Sequence, residues 1–380
     1  MKTCEKCIIP DSYPKVTIED GICTLCKIHD RSPRFEKDPL GKDKLLEKLT
    51  SRASDNYDCV VPVSGGKDST YALFYVVKEL GLKPLAVSAD SGFVVESAME
   101  NIENICEKLS VDLVVHKARF RRDIAKQAIH IWRSKGEFFS PCPPCETNNR
   151  SVVINEAVKR GIPFAVWGAT DYEDDPATFF DPDFLTFRQR FARQADVSNM
   201  KLLKRMKHRL RGNGAYLVLE ILKSDISATS KIKALLHLML YFYYMVRNNL
   251  DVRVPEGWRK FLPLVHTSFE GKNVETIYLF DYIPYDPSRQ MEILKKEVDW
   301  QATYGKEAKL DCELHSIPTY QGLKKTGISP DGFTFSVLVR YGIMSREEAE
   351  KKEAILQQSL REDCEKIIAE LGFDKTGLIS

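Results

Sequence analysis

No stretch of this 380-residue sequence is both apolar enough and long enough to cross a bilayer as a helix. The nearest candidate, IKALLHLMLYFYYMV at 232–246, covers 15 residues and contains Lys233 and His237, whereas a spanning helix needs roughly 20 predominantly apolar residues. The opening, MKTCEKCIIPDSYPKV, lacks the apolar core of a secretory signal, so the expected compartment is the cytoplasm. Net charge is nearly absent as well. The 56 Lys and Arg against 54 Asp and Glu leave +2, which excludes a global pull toward nucleic acid or anionic lipid. Any such contact has to come from a local patch. There is no internal repeat, no low-complexity tract and no Walker-type phosphate-loop spacing, which excludes a P-loop NTPase of that kind. What remains, 29% charged and 43% apolar residues over this length, is the composition of a soluble globular chain with room for two or three domains.

Cysteine is the residue in surplus. Ten occur, at 4, 7, 23, 26, 59, 106, 142, 145, 312 and 364. In a reducing compartment, CxxC pairs point to metal rather than cystine. Cys4, Cys7, Cys23 and Cys26 form two such pairs at a spacing that suits a closed tetrahedral zinc site, with a redox role as the alternative. Residues 1–30 carry little periodicity, so metal rather than a core is expected to hold that knuckle together. Cys59, Cys106 and Cys364 read as small buried hydrophobes.

After the knuckle, a charged linker helix is expected over 31–56. Residues 57–175 then alternate: YDCVVPV, KPLAVSAD, VDLVVHKA and IPFAVWGA read as strands, and STYALFYVVKELG, SAMENIENICEKLS and NRSVVINEAVKRG as helices. Continuous apolar strands between amphipathic helices predict a doubly wound α/β domain with a parallel sheet. Residues 176–260 break the rhythm and read as a helical insertion, and 261–380 as completion of the α/β domain plus a helical tail. Within the insertion, KLLKRMKHRLR at 201–211 holds seven basic or potentially basic side chains. It is either a solvated helix face or a contact for phosphate on RNA, a nucleotide-sugar or a lipid headgroup. The apolar 232–246 segment is either buried against the α/β domain or an interfacial helix.

The sharpest feature is VVPVSGGKDSTYAL at 60–73. Gly65 and Gly66 allow a tight turn and close approach of a ligand, and the N–H groups opening the next helix attract phosphate. Ser64 and Ser69 add hydroxyls, Lys67 a mobile positive charge, and Asp68 a magnesium or orienting contact. The bland alternative is a glycine-rich strand-to-helix turn.

SGGKDS at 64–69 resembles the signature of the PP-loop ATP pyrophosphatases. That resemblance implies ATP as cofactor, adenylation of a carbonyl oxygen with pyrophosphate release, and displacement of AMP by a nitrogen or sulfur nucleophile. It places Ala89 and Asp90, at the tip of the second strand, near adenine. The loop WGATDYEDD at 167–175, with Gly168 and Asp171, would line the reacting face. Its carboxylates Asp171, Glu173, Asp174 and Asp175 would help hold Mg2+, or else form an acidic solvated loop. The order CEKCIIPDSYP, GICTLC, YDCVVPVSGGKDSTYA, PCPPCETNN, IPFAVWGATD and VRYGIMSREEA further resembles the N-acetyl sugar amidotransferases of surface-polysaccharide and nonulosonic-sugar pathways. That implies conversion of an acetamido to an acetamidino group on an N-acetyl sugar or nucleotide-sugar, with ammonia from a separate glutaminase partner. Lys67, Asp68 and Asp171 are the expected catalytic residues.

Cys142 and Cys145, in SPCPPCETNN, lie just before a helix that leads into the fourth strand, with Cys312 in KLDCELHS as a third candidate ligand. Three thiolates leave a metal position open. Some tRNA-thiolating PP-loop enzymes bind a four-iron, four-sulfur (4Fe-4S) cluster with a similar set, so iron–sulfur-dependent thiolation of a tRNA base or heterocycle is the alternative chemistry. Inert thiols in a proline-stiffened loop are the third possibility. A regulatory protein that binds nucleotide without turnover is a further alternative. His116, His266 and His315 are isolated in sequence, and none is expected to act.

Overall fold

A computed structural model of the chain describes residues 2–13, 16–31, 39–52, 54–117, 142–170, 274–302 and 311–373. The expected insertion at 176–260, the loop residues from Asp171 onward, and the basic and apolar runs lie outside them. Among the described residues, no helix is long and apolar enough to cross a membrane.

Five short strands form a parallel sheet: the four that the alternation over 57–175 predicts, and a fifth from the segment expected to complete the domain. They are β3 (Cys59–Pro62), β4 (Pro84–Asp90), β5 (Leu113–Lys117), β6 (Phe164–Trp167) and β7 (Glu275–Tyr278). Their spatial order is β5-β4-β3-β6-β7, with Val60 opposite both Leu85 and Ala165 at the centre. The chain first winds outward from β3 to β5, then returns to the other side of β3 as β6. The point where winding reverses lies between β3 and β6, and ligands bind outside the strand carboxyl ends at such a switch.

Both faces of the sheet are covered, which is why its strands are apolar along their length. On one face, Val60, Leu85, Val87 and Ala165 pack under Val152, Val153 and Ala157 of α5 (Cys142–Lys159). The other face presents Val61, Val63, Ala86, Phe164, Val166 and Ile277. It is covered by α2 (Lys42–Thr50), α3 (Lys67–Phe74), α4 (Glu96–Leu109) and α6 (Pro287–Val298). The α3 helix continues as a π-helical turn over Tyr75–Glu79 and ends before Gly81, whose φ of 66° suits a residue without Cβ.

The N-terminal hairpin, β1 (Ile18–Glu19) and β2 (Ile22–Cys23), leads into α1 (Thr24–Arg31). Its partner comes from the far end of the chain. Ile8, Ile9, Tyr13 and Val16 share one buried cluster with Ile328, Phe333, Phe335, Leu338, Met344, Ala349 and Leu356. These last belong to α8 (Pro330–Arg340), α9 (Arg346–Glu370) and the turns beside α8, while α7 (Ser316–Thr326) joins a separate cluster with α9. Tyr13 stacks on Phe333 at 5.2 Å between ring centroids. The sequence suggested a knuckle held by metal without a core. The core is there, but it pairs segments more than three hundred residues apart, which local composition does not reveal.

Candidate functional site

The loop SGGKDS occupies the switch point, between the carboxyl end of β3 and the first turn of α3. Gly65 sits at φ 79°, and a Cβ there would come within 2.2 Å of the Ala98 carbonyl oxygen on α4. Only glycine fits. Its own carbonyl is turned inward and accepts from Asn101 Nδ2 at 3.2 Å and Trp300 Nε1 at 2.9 Å. Asn101 is fixed in turn by the Gln301 backbone, donating to its carbonyl at 2.8 Å and accepting from its N–H at 3.0 Å. A carbonyl pinned inward fixes the orientation of the peptide that follows it.

Gly66 is the N-cap of α3 and supplies no side-chain cap, leaving the helix's first N–H groups without the usual local acceptor. That terminus is a ready anion site. Ser69 braces the turn: its hydroxyl accepts from the Ser64 N–H at 3.1 Å and donates to the Gly66 carbonyl at 3.1 Å. The Ser64 and Ser69 hydroxyls lie 3.1 Å apart. Lys67 donates to Asp68 Oδ1 at 2.5 Å and to the Tyr285 hydroxyl at 2.9 Å. These two charged side chains are only 17% and 14% exposed, so the pair is poorly screened by water. Gly168, after β6, abuts this turn closely. A Cβ there would lie 2.2 Å from the Asp68 carbonyl oxygen.

The strand tip expected near adenine ends at Asp90, whose carboxylate accepts from the Gly92 N–H at 2.7 Å. The loop that follows pairs with the segment around Cys312. Val94 bridges Cys312, Val95 N–H donates to the Asp311 carbonyl at 3.2 Å, and Glu313 N–H donates to the Phe93 carbonyl at 2.8 Å. Cys312 is therefore held beside the carboxyl edge of the sheet and is half-buried. The neighbouring Asp311 carboxylate lies 3.7 Å from where a Cβ on Gly66 would stand, which sets it over the SGGKDS loop. The backbone of Cys142 and Cys145 opens α5. As the crossover helix leading into β6, α5 runs antiparallel to that strand, so it starts at the same edge. The expected ligand role of the two thiols, like that of Asp171, lies outside what the structure describes.

Asn101, Tyr285, Trp300 and Asp311 also contribute, and none of them lies in a motif of the sequence. Asn101 had a signal: it is a polar residue in the buried stripe Ala98, Asn101, Ile102, Ile105 of an amphipathic helix. The other three reach the loop only through tertiary packing.

Cys4, Cys7, Cys23 and Cys26 form the second constellation. All four are fully buried, and their sulfurs lie within 4.8 Å of one another. The Cys23 N–H donates to Cys4 Sγ at 3.2 Å and the Cys26 N–H to Cys23 Sγ at 3.4 Å. Hydrogen bonds from Cys26 and Cys7 pull the Cys23 thiol down, and the same crowding pushes Cys26 up. Arg340 points its guanidinium at Cys7 Sγ, 3.7 Å away, and Arg346 Nε donates to the Cys4 and Cys7 carbonyls at 3.3 Å. Four converging sulfurs, backbone donors to sulfur and an adjacent guanidinium fit a closed tetrathiolate metal site, because that set is net negative once metallated. By contrast, burial pushes the thiols of Cys59, Cys106 and Cys364 up, the last two to about 12, as befits apolar fillers.

Comparison with known proteins adds little. No family model matches the sequence. An uncharacterised protein of Methanocaldococcus jannaschii is 30% identical over 145 residues, which is 37% of this chain and 50% of that protein. The chain thus spans half the length of that curated relative. Among solved structures, the ammonia-dependent NAD synthetase of Campylobacter jejuni superposes with a TM-score of 0.27 and 12% identity, over 56% of this chain and 93% of that one. Likeness at that level carries no weight for function, which has to come from the site itself.

Proposed function

We propose that this chain is an ATP pyrophosphatase of the PP-loop type that activates a carbonyl oxygen by adenylation. The observation that carries the reading is the pinned loop at the sheet's switch point, where an uncapped helix N-terminus, two hydroxyls and a shielded Lys67–Asp68 pair converge. Such a cradle suits the β- and γ-phosphates of ATP, and Asp68 would hold the accompanying magnesium. In the reaction, the acceptor oxygen attacks the α-phosphorus, the bond to the α–β bridging oxygen breaks, and pyrophosphate leaves into the loop. Ammonia then adds to the activated carbon and AMP departs with the former carbonyl oxygen, leaving an amidine. Lys67 and the α3 N–H groups stabilise charge accumulating on the departing pyrophosphate.

The acceptor we favour is an N-acetyl sugar or nucleotide-sugar, in the cytoplasm, with a glutaminase partner as the ammonia source. The motif order resembling the N-acetyl sugar amidotransferases supports it. Sulfide in place of ammonia is the second reading, favoured by one feature: Cys312 sits at the same sheet edge where the helix carrying Cys142 and Cys145 begins. Pyrophosphate release assayed with paired acceptors and donors separates the two. Release that depends on an N-acetyl sugar plus ammonia supports amidotransfer, and release that needs tRNA plus sulfide supports thiolation. Exchange of Lys67 for Ala is expected to lower turnover at least about a hundredfold while the fold survives. Recovery of ADP as the product would sink both.

A further inference from the structure

Tyr285 lies in FDYIPYDP, a turn far from the phosphate loop in sequence and in contact with it in space. The turn is rigid. Pro284 precedes Tyr285, restricting the backbone of Ile283, and Asp286 follows it as the N-cap of α6, accepting from the Arg289 N–H at 3.0 Å. The linker strap is laced onto the same turn, with Leu40 N–H donating to the Asp281 carbonyl at 3.0 Å and Gly41 N–H to the Tyr282 carbonyl at 2.9 Å. The Tyr285 ring meets Phe280 edge-on at 4.9 Å and packs against the cluster built by the cysteine knuckle and the C-terminal helices. Its hydroxyl then accepts from Lys67 Nζ at 2.9 Å, and the ammonium lies 4.9 Å from the ring centroid.

Asp68 alone is a poor keeper for this ammonium. If Asp68 turns to a magnesium ion carried in by the triphosphate, it loses much of its pull on Lys67. The lysine stem is flexible and would lose rotamer freedom on meeting phosphate. A neutral phenol on a rigid turn holds Nζ without competing for the metal or repelling the anion. We propose that Tyr285 is the positioning residue of Lys67: its hydroxyl keeps the ammonium aimed into the loop, so that phosphate binds without ordering the side chain anew. The inference rests on the phosphate-loop reading above and adds to it a residue that no motif carries.

The test uses the full chain and four proteins: native, Tyr285→Phe, Lys67→Ala and the double variant. Binding of magnesium–ATP is measured by calorimetry, and melting by circular dichroism. Tyr285→Phe keeps the half-buried ring against its cluster and removes only the hydroxyl. It is expected to weaken binding by at least about tenfold, the size of one lost hydrogen bond to a charged donor, with the melting temperature unchanged. On the Lys67→Ala background the same exchange should change affinity less than about twofold, because its effect runs through the ammonium. A Tyr285→Phe protein that binds like the native one overturns the proposal. So does equal weakening on both backgrounds, which would make the hydroxyl a structural group. A native chain without affinity for magnesium–ATP overturns the phosphate-loop reading itself and this inference with it, an outcome distinct from native binding that Tyr285→Phe leaves intact.

Discussion

Gly65 and Gly168 forbid side chains for different reasons. At Gly65 the backbone is left-handed and the Ala98 carbonyl stands where a Cβ would go, whereas at Gly168 the obstacle is the Asp68–Ser69 peptide, with no left-handed backbone. Gly65→Ala therefore combines backbone strain with a steric clash that neither chain segment can relieve by rotating a side chain. Its cost is expected to reach or exceed about 1–3 kcal/mol, read as a lower urea midpoint, and nucleotide affinity should fall with it. A Gly65→Ala chain as stable as the native protein would mean that the loop can be rebuilt away from α4. The Trp300 indole tests the same carbonyl from the other side. Trp300→Phe keeps an aromatic ring and removes one of two donors to the Gly65 oxygen, so a loss of about 1 kcal/mol is expected in urea unfolding.

Among elements, α8 depends on one buried carboxylate. Ser329 caps α8 by accepting from the Gly332 N–H at 2.9 Å. Glu353, reaching across from α9, accepts from the Ser329 N–H at 2.8 Å and hydroxyl at 2.5 Å, and from Gln357 Nε2 at 2.8 Å. Gly332 makes room for that carboxylate, since a Cβ there would come within 2.4 Å of Glu353 Oε2. Glu353→Ala strands several buried donors at once, and a loss of about 2–4 kcal/mol is expected from denaturant melts. A loss below about 1 kcal/mol would show that water substitutes for the carboxylate. Some helix ends are legible from local pattern alone. Ser345 accepts from the Glu348 N–H at 3.0 Å, and Ser-x-x-Glu is a helix-start signature. The Glu353 bridge is not legible, because its donor and acceptor lie on different helices and nothing in either segment announces the other.

At the scale of the whole molecule, the chain's two ends are one structural unit. The four cysteines, the N-terminal apolar residues and the helices α8 and α9 share a single buried cluster, with Arg340 and Arg346 directed at the knuckle. Removal of a bound metal by a chelator is therefore expected to lower amide-exchange protection in residues 328–356 as well as in the knuckle. Protection lost in residues 2–30 alone would show that the knuckle folds independently of the tail. The order of strands and helices, the turn at 64–69 and the pairing of cysteines into knuckles were all determined by local sequence, because hydrophobic period, glycine placement and ligand spacing act over a few residues. Only the tertiary structure decided that Asn101 and Trp300 pin Gly65, that Tyr285 meets Lys67, and that the last helices complete the knuckle's core. Each of these contacts joins segments whose separation no periodicity records, and burial decides which of the many available side chains meet.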